Sequence, residues 1–207
     1  MAKLEAVVFD IGNVLIEWNP ERFYDRVVGE PRRRAFFDAV AIHAMNERVD
    51  LGAVWEDEVS ALAREHPEWA DEINHWHGRW IEMASPEIPH SVRLLRALRA
   101  KRVPVFALSN FGRETFAEAL RHYPFLSEFD RAFVSGHLRQ AKPEPAIYET
   151  LERESGVAPG ALLFTDDRAD NIATAAARGW GTHLFEGPDA FADRLVSEGL
   201  LTAEEAA

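Results

Sequence analysis

Five short apolar runs, at residues 4–9, 103–108, 132–134, 161–164 and 182–185, constrain the fold of this chain more than any other feature. Each is nearly continuous rather than alternating, as strands covered on both faces should be. Between them, apolar residues recur at helical spacing over 91–100, 113–121, 145–155 and 170–178. Strands alternating with helices predict a parallel sheet with helices on each face. The expected class is α/β, with a doubly wound, Rossmann-like sheet.

The interval after the first run breaks this rhythm. Residues 19–87 hold helix-favouring stretches at 21–28, 32–44, 53–65 and 71–83 and no convincing strand. Their edges, EWNP and SPEIPH, carry prolines suited to two crossing linkers. The expected organisation is a core domain from 1–18 and 88–207 with a helical insertion over 19–87. The terminal TAEEAA reads as a frayed polar tail.

A formal charge of -12 repels phosphate backbones and argues against nucleic acid as a partner. No run approaches the ~18 apolar residues of a spanning helix, so no membrane partner is expected. The start, MAKLEAVVFD, lacks the layout of a signal peptide, and a cytoplasmic protein is expected. The absence of cysteine excludes a disulfide framework and any thiolate metal site. The sequence is silent on oligomeric state.

In open α/β sheets ligands bind beyond the carboxyl ends of the strands. Asp10 follows the first run, Ser109 and Asn110 the second, Lys142 the third, and Asp166, Asp167, Asp170 and Asn171 the fourth. Several carboxylates close together repel one another unless a cation lies among them. With oxygen donors and no Cys–His alternative, Mg²⁺ suits the set, and it commonly shares its coordination with a substrate phosphate. Lys142 and Ser109 can hold the remaining phosphate oxygens, and Asp10 has the chemistry of a carboxylate nucleophile. The expected partner is therefore a small phosphorylated substrate.

These four segments, FDIGNVL, LSN, AKPEP and FTDDRADN, occur in the order of the four motifs of the haloacid dehalogenase (HAD) superfamily, which the chain resembles over 4–14 and 91–185. The insertion is similar to the small cap of that family, and MNERVDLGAVWEDEV resembles a cap pattern of an acid or polar turn, a Gly and an acidic helix. The DxGNV and DDxxDN forms resemble a subgroup containing glucose 1-phosphate phosphatases and related to the phosphatase domain of epoxide hydrolases. The resemblance implies that Asp10 attacks phosphorus and binds Mg²⁺ together with the Gly12 carbonyl and Asp167. It implies that Asp166 and Asn171 orient metal-bound waters, that Ser109 and the Asn110 N–H bind phosphoryl oxygens, and that Lys142 neutralises Asp10 and phosphate together.

One departure stands out. Most HAD phosphatases carry a second aspartate two residues after the nucleophile, as general acid and then base, and Gly12 occupies that place. Such help is typically worth ~10²–10⁴ in rate, so its loss matters without abolishing phosphoryl transfer. The preferred reading is an Mg²⁺-dependent phosphatase with another acid: Glu17, a residue of the insertion, or metal-bound water. The alternatives are a 2-haloacid dehalogenase, in which Asp10 attacks carbon, and a non-catalytic phosphate-binding protein. Trp55, Trp69, Trp76, Trp80, His75 and His77 read as core or pocket lining, since HWH puts its histidines on different helix faces. Arg32–Arg34 reads as a solvated helix face. A capping role for Ser109 and Asn110 on the following helix is compatible with their function.

Overall fold

The computed structural model describes residues 3–207. Its strands are β1 (Ala6–Phe9), β2 (Ile16–Trp18), β3 (Ala84–Glu87), β4 (Val105–Ser109), β5 (Arg131–Val134), β6 (Leu162–Asp166) and β7 (Gly181–Leu184). Five of them form a parallel sheet in the order β5-β4-β1-β6-β7, with β1 at its centre. The continuous apolar character of β1 has a direct cause. Val7 and Phe9 enter one hydrophobic cluster, Ala6 and Val8 enter another on the opposite face, and all four are fully buried.

The helices are α1 (Pro20–Val28), α2 (Glu30–Ala39), α3 (Ile42–Asp50), α4 (Trp55–Glu65), α5 (Ala70–Gly78), α6 (Trp80–Met83), α7 (Pro89–Ala100), α8 (Arg113–His122), α9 (Ser135–Leu138), α10 (Pro145–Ser155), α11 (Ala169–Ala177) and α12 (Pro188–Ser197). Local chemistry starts several of them. Asn19 caps α1 by accepting the Arg22 N–H at 2.8 Å, and Pro20 follows at a position whose N–H would have no partner. On one side of the sheet α7 buries Val92, Leu94, Leu95 and Leu98; on the other α10 buries Ile147, Tyr148 and Leu151.

Helices α1–α6 lie between β2 and β3 and pack around aromatic side chains. Tyr24 meets Phe36 at 5.3 Å and Trp76 at 6.2 Å between ring centroids, and its hydroxyl donates to Glu72 O at 2.7 Å. Full burial of each such ring is worth roughly 2–3 kcal/mol, which lets a sheetless bundle hold together.

The structure corrects the sequence reading at four points. A strand does occur inside the insertion: β3 pairs antiparallel with β2 as a two-stranded ribbon. The continuous helix expected over 32–44 is two, because Val40 is extended between α2 and α3. The one expected over 71–83 breaks at Arg79, between α5 and α6. The tail is docked rather than frayed: Glu205 pairs with Lys101 at 2.9 Å, and Ala206, 5% exposed, contacts His90 Nε2 through its carbonyl at 2.7 Å.

The insertion meets the sheet domain again at the end of α3. Gly52 has φ +96°, and a Cβ there would lie 2.7 Å from Gly136 O. A Cβ on Gly136 would lie 2.8 Å from both Arg113 N and Phe111 O. Backbone therefore rests on backbone, and neither position has room for a side chain.

Candidate active site

The carboxyl ends of β1, β4 and β6 bring the expected residues together. The Asp10 N–H extends the ladder by donating to Thr165 O at 2.9 Å, which holds its side chain just past the sheet. Asp10 Oδ1 accepts from Ile11 N at 2.7 Å and Ser109 Oγ at 2.6 Å, and it lies 3.0 Å from Lys142 Nζ. Asp10 Oδ2 accepts no hydrogen bond among the described residues. One oxygen is thus immobilised while its twin stays available.

Lys142 also donates to Asp166 Oδ2 at 2.5 Å, and its ammonium lies 5.4 Å from the Phe164 ring centroid. Burial opposes its charge, yet Asp10 and Asp166 together raise its pKa. The loop carrying Lys142 is held by a reciprocal pair: Asn110 Nδ2 donates to Lys142 O at 2.9 Å, and Lys142 N donates to Asn110 Oδ1 at 2.8 Å. Burial pushes Asp10 up to about 6, with Lys142 pulling it down and Asp166 adding to the rise. The helix after β4 is capped by Gly112, so Ser109 and Asn110 do not serve as its N-cap.

Asp166 is fully buried and saturated. Its Oδ1 accepts from Arg168 N at 2.8 Å and Asn171 Nδ2 at 3.0 Å, and its Oδ2 accepts from Lys142 and from Asn171 Nδ2 at 3.0 Å. Asp167 reaches across to the first loop, where Asn13 Nδ2 donates to its Oδ2 at 2.9 Å. Asp170 instead pairs with Arg168 at 2.6 Å on the surface. Gly12 lines the same cavity, and a Cβ there would meet nothing nearer than Trp18 Cβ at 4.0 Å.

Asp10, Asp166 and Asp167 each place one carboxylate oxygen within 4.8 Å of the others. The buried Asn171 Oδ1 has no partner among the described residues. An oxygen-only donor set with a spare buried acceptor beside it fits a hard divalent cation.

A cavity of about 610 Å³ opens above these groups, walled on the far side by the insertion. Trp18, Trp76, Trp80 and Phe111 line it, with Trp18 edge-on to Trp76 at 5.8 Å and Trp80 edge-on to Phe111 at 5.6 Å. Trp55 and the two histidines of HWH stay outside it: His77 packs on Trp55 at 4.3 Å and His75 on Phe23 at 6.3 Å. Trp69 lies under Arg32 at 4.7 Å, while Arg32, Arg33 and Arg34 pair with Glu72, Asp25 and Glu30.

Two features were missed from the sequence. Asn13, at φ +55°, is a bracket: it accepts Trp18 N at 2.9 Å and holds Asp167. Its signal was an asparagine, which tolerates the left-handed region, directly after a glycine. The polar face of α3, His43, Asn46, Glu47 and Asp50, also lines the cavity. Its signal was the i, i+3, i+4, i+7 spacing beside buried Ile42, Met45 and Val49.

Comparison with known proteins agrees with this layout. The family model for haloacid dehalogenase-like hydrolases matches residues 4–179. The sesquiterpene phosphatase astK of Aspergillus oryzae is 24% identical over 197 residues, covering 88% of this chain and 90% of that protein. The drimenol cyclase drtB of Aspergillus calidoustus is 23% identical over 197 residues, which are 94% of this chain but 36% of that protein, so the chain spans about a third of its length. A HAD-family enzyme of Bacteroides thetaiotaomicron, solved with magnesium and inorganic phosphate, shares the fold at a TM-score of 0.67 and 20% identity, over 87% of this chain and 93% of that one. With the matched span covering most of its length and the sheet order and strand-end residues in place, the chain belongs to the haloacid dehalogenase-like hydrolases.

Proposed function

We propose that this hydrolase is an Mg²⁺-dependent phosphatase that cleaves a small, polar phosphomonoester through an aspartyl-phosphate at Asp10. The observation that carries the reading is the asymmetry of that carboxylate: Oδ1 is held by Ile11 N–H, Ser109 and Lys142, and Oδ2 is left to react. The names of the relatives support the reaction class, one being a phosphatase and another an enzyme solved with magnesium and phosphate.

Asp10, the Gly12 carbonyl and Asp167 would hold the ion, with Asp166 and Asn171 behind them; the saturation of Asp166 by protein donors supports that division. Bound there, Mg²⁺ would offset the charge of the phosphoryl oxygens as they approach Asp10. Asp10 Oδ2 forms its bond to phosphorus as the ester P–O bond breaks, while Ser109, the Asn110 N–H and Lys142 steady the phosphoryl oxygens. Water then attacks the same phosphorus and the Asp10–phosphorus bond breaks. A haloacid would instead bring its own carboxylate against Asp166 and Asp167, beside an Asp10 that already shares Lys142 with Asp166. The insertion at 19–87 is read as a cap that covers the site and contacts the organic part of the substrate. Polar groups of α3 facing aromatic walls suit a hydroxyl-bearing group such as a sugar, the walls supplying apolar faces and the helix hydrogen bonds.

The test is phosphate release from sugar phosphates, nucleotides, acyl phosphates and terpenyl monophosphates, with Mg²⁺ or EDTA and Asp10→Asn as the blank. Mg²⁺-dependent turnover of a sugar phosphate is expected, with none from the blank. Equal turnover in EDTA would overturn the metal assignment. Preference for the terpenyl ester would overturn the substrate class, and halide release from a 2-chloro acid without phosphatase activity would overturn the reaction.

A further inference from the structure

We propose that Asp50 donates and accepts the proton in place of the carboxylate absent at position 12, an inference that rests on the phosphatase reading above. Asp50 ends α3 and lines the cavity that also holds Asp10 and Ser109. Its backbone is tied to the phosphate-side loop. Ser135 Oγ donates to Asp50 O at 2.6 Å and accepts from Phe111 N at 2.9 Å, and Phe111 is two residues beyond Ser109.

The carboxylate is aimed by a relay. Trp76 Nε1 donates to Asn46 Oδ1 at 3.0 Å, so the Asn46 amide must present its NH₂ elsewhere, and Nδ2 donates to Asp50 Oδ2 at 2.9 Å. Other acids in the cavity are committed or too wet. Glu17 is paired with Arg22, Glu47 and Glu144 are exposed and Asp167 is bound by Asn13, while Asp166, beneath the cavity, is saturated.

The surroundings suit a proton carrier. Burial pushes Asp50 up to about 7, the Gly112 N–H pulls the other way, and the charge of Glu47 adds to the rise. The other charged or titratable groups nearby are His43 on α3, Arg48 on α3 paired with Glu58 of α4, Arg113 of α8, which donates to Gly52 O at 3.4 Å, and Arg139 beside Gly52. The two guanidiniums with assigned partners are thus directed elsewhere. A carboxyl that titrates near neutrality can serve in both directions. As the bond from Asp10 Oδ2 to phosphorus forms and the ester bond breaks, the Asp50 proton passes to the departing oxygen, giving the alcohol. The Asp50 carboxylate then takes a proton from the attacking water as its oxygen bonds to phosphorus and the Asp10–phosphorus bond breaks, which returns Asp50 to its starting state.

The test compares kcat/KM of wild type, Asp50→Asn and Asp50→Glu on an alkyl phosphate, phenyl phosphate and 2,4-dinitrophenyl phosphate with Mg²⁺ across pH 5–9. For Asp50→Asn the expected loss is roughly 10²–10³-fold on the alkyl ester and less than about tenfold on the dinitrophenyl ester, whose leaving group needs no proton. The fall in wild-type alkyl-ester activity above about pH 7 should vanish in Asp50→Asn and persist in Asp50→Glu. An equal loss on all three esters, which a merely structural role would give, or no loss at all, would overturn the assignment to Asp50 alone. Absence of wild-type turnover on every ester would overturn the phosphatase reading and this inference together.

Discussion

Lys142→Met removes one positive charge from beneath the site while keeping most of the aliphatic stem, so the change tests electrostatics rather than packing. In the wild type the ammonium serves two buried carboxylates, Asp10 Oδ1 at 3.0 Å and Asp166 Oδ2 at 2.5 Å. Deleting one partner of a buried ion pair typically costs about 3–5 kcal/mol, because the other charge is left without water or counterion. Two carboxylates are stranded here, so a loss of about 4–5 kcal/mol is expected at pH 8 in EDTA. The loss must depend on pH. Stranded Asp10 has a folded-state pKa above its unfolded one, so its penalty is absent below the unfolded pKa, grows as pH rises toward the folded pKa and is constant above it. Asp10 is already pushed up to about 6 with Lys142 in place and must go higher without it. Each pH unit descended through that window returns about 1.4 kcal/mol for a single proton bound. The gap between variant and wild type should therefore shrink to roughly 1–2 kcal/mol by pH 5. Urea unfolding at pH 5, 6, 7 and 8 measures it. A gap that is constant, or that widens toward acid, would refute the reasoning.

Two further predictions concern Asp50 and a pair of glycines. Asp50 is raised from 3.8 to about 7, so it lowers stability increasingly as pH climbs through that interval, and Asp50→Asn should gain roughly 2 kcal/mol at pH 8 and nothing near pH 4, read by thermal unfolding. A variant no more stable than wild type at pH 8 would show that the carboxylate is not held at a cost. Gly136→Ala should lose roughly 2–3 kcal/mol, since its Cβ would press on backbone atoms at 2.8 Å, whereas at Gly78 a Cβ meets nothing within 4 Å and alanine should be neutral or stabilising by up to about 1 kcal/mol. Equal effects in urea titrations would argue against a tight backbone contact between Gly136 and the loop after β4.

The sheet was legible because burial on both faces forces unbroken apolar runs: Ala6 and Val8 face one layer and Val7 and Phe9 the other, and no polar residue can interrupt them. The strand-end residues were legible for the same reason, since a parallel sheet brings Asp10, Ser109 and Asp166 to one edge whatever lies between them. The ribbon was not. Ile16–Trp18 and Ala84–Glu87 are too short to carry a period, and each owes its extended form to a partner more than sixty residues away. The breaks at Val40 and Arg79 were hidden because helix-favouring residues continue through both, and packing decides where the helices turn. Asp50 was hidden differently. Its spacing was visible, but its environment depends on Trp76, Ser135 and Gly112, which come from three other segments.

The ribbon has a mechanical consequence. The chain leaves the sheet domain through β2 and re-enters through β3, and because these strands are bonded to each other, the two crossings cannot swing independently. Gly52 against Gly136 provides a second support. Trp80 packing on Phe111 and Ser135 Oγ donating to Asp50 O brace the same side, so the helical bundle is held at its crossings, at α6 and at the end of α3, and the gap between α3 and the strand ends is fixed from both sides. A substrate bridging α3 and Asp10 would be held across that braced gap, converting grip on its distant end into alignment of its phosphorus.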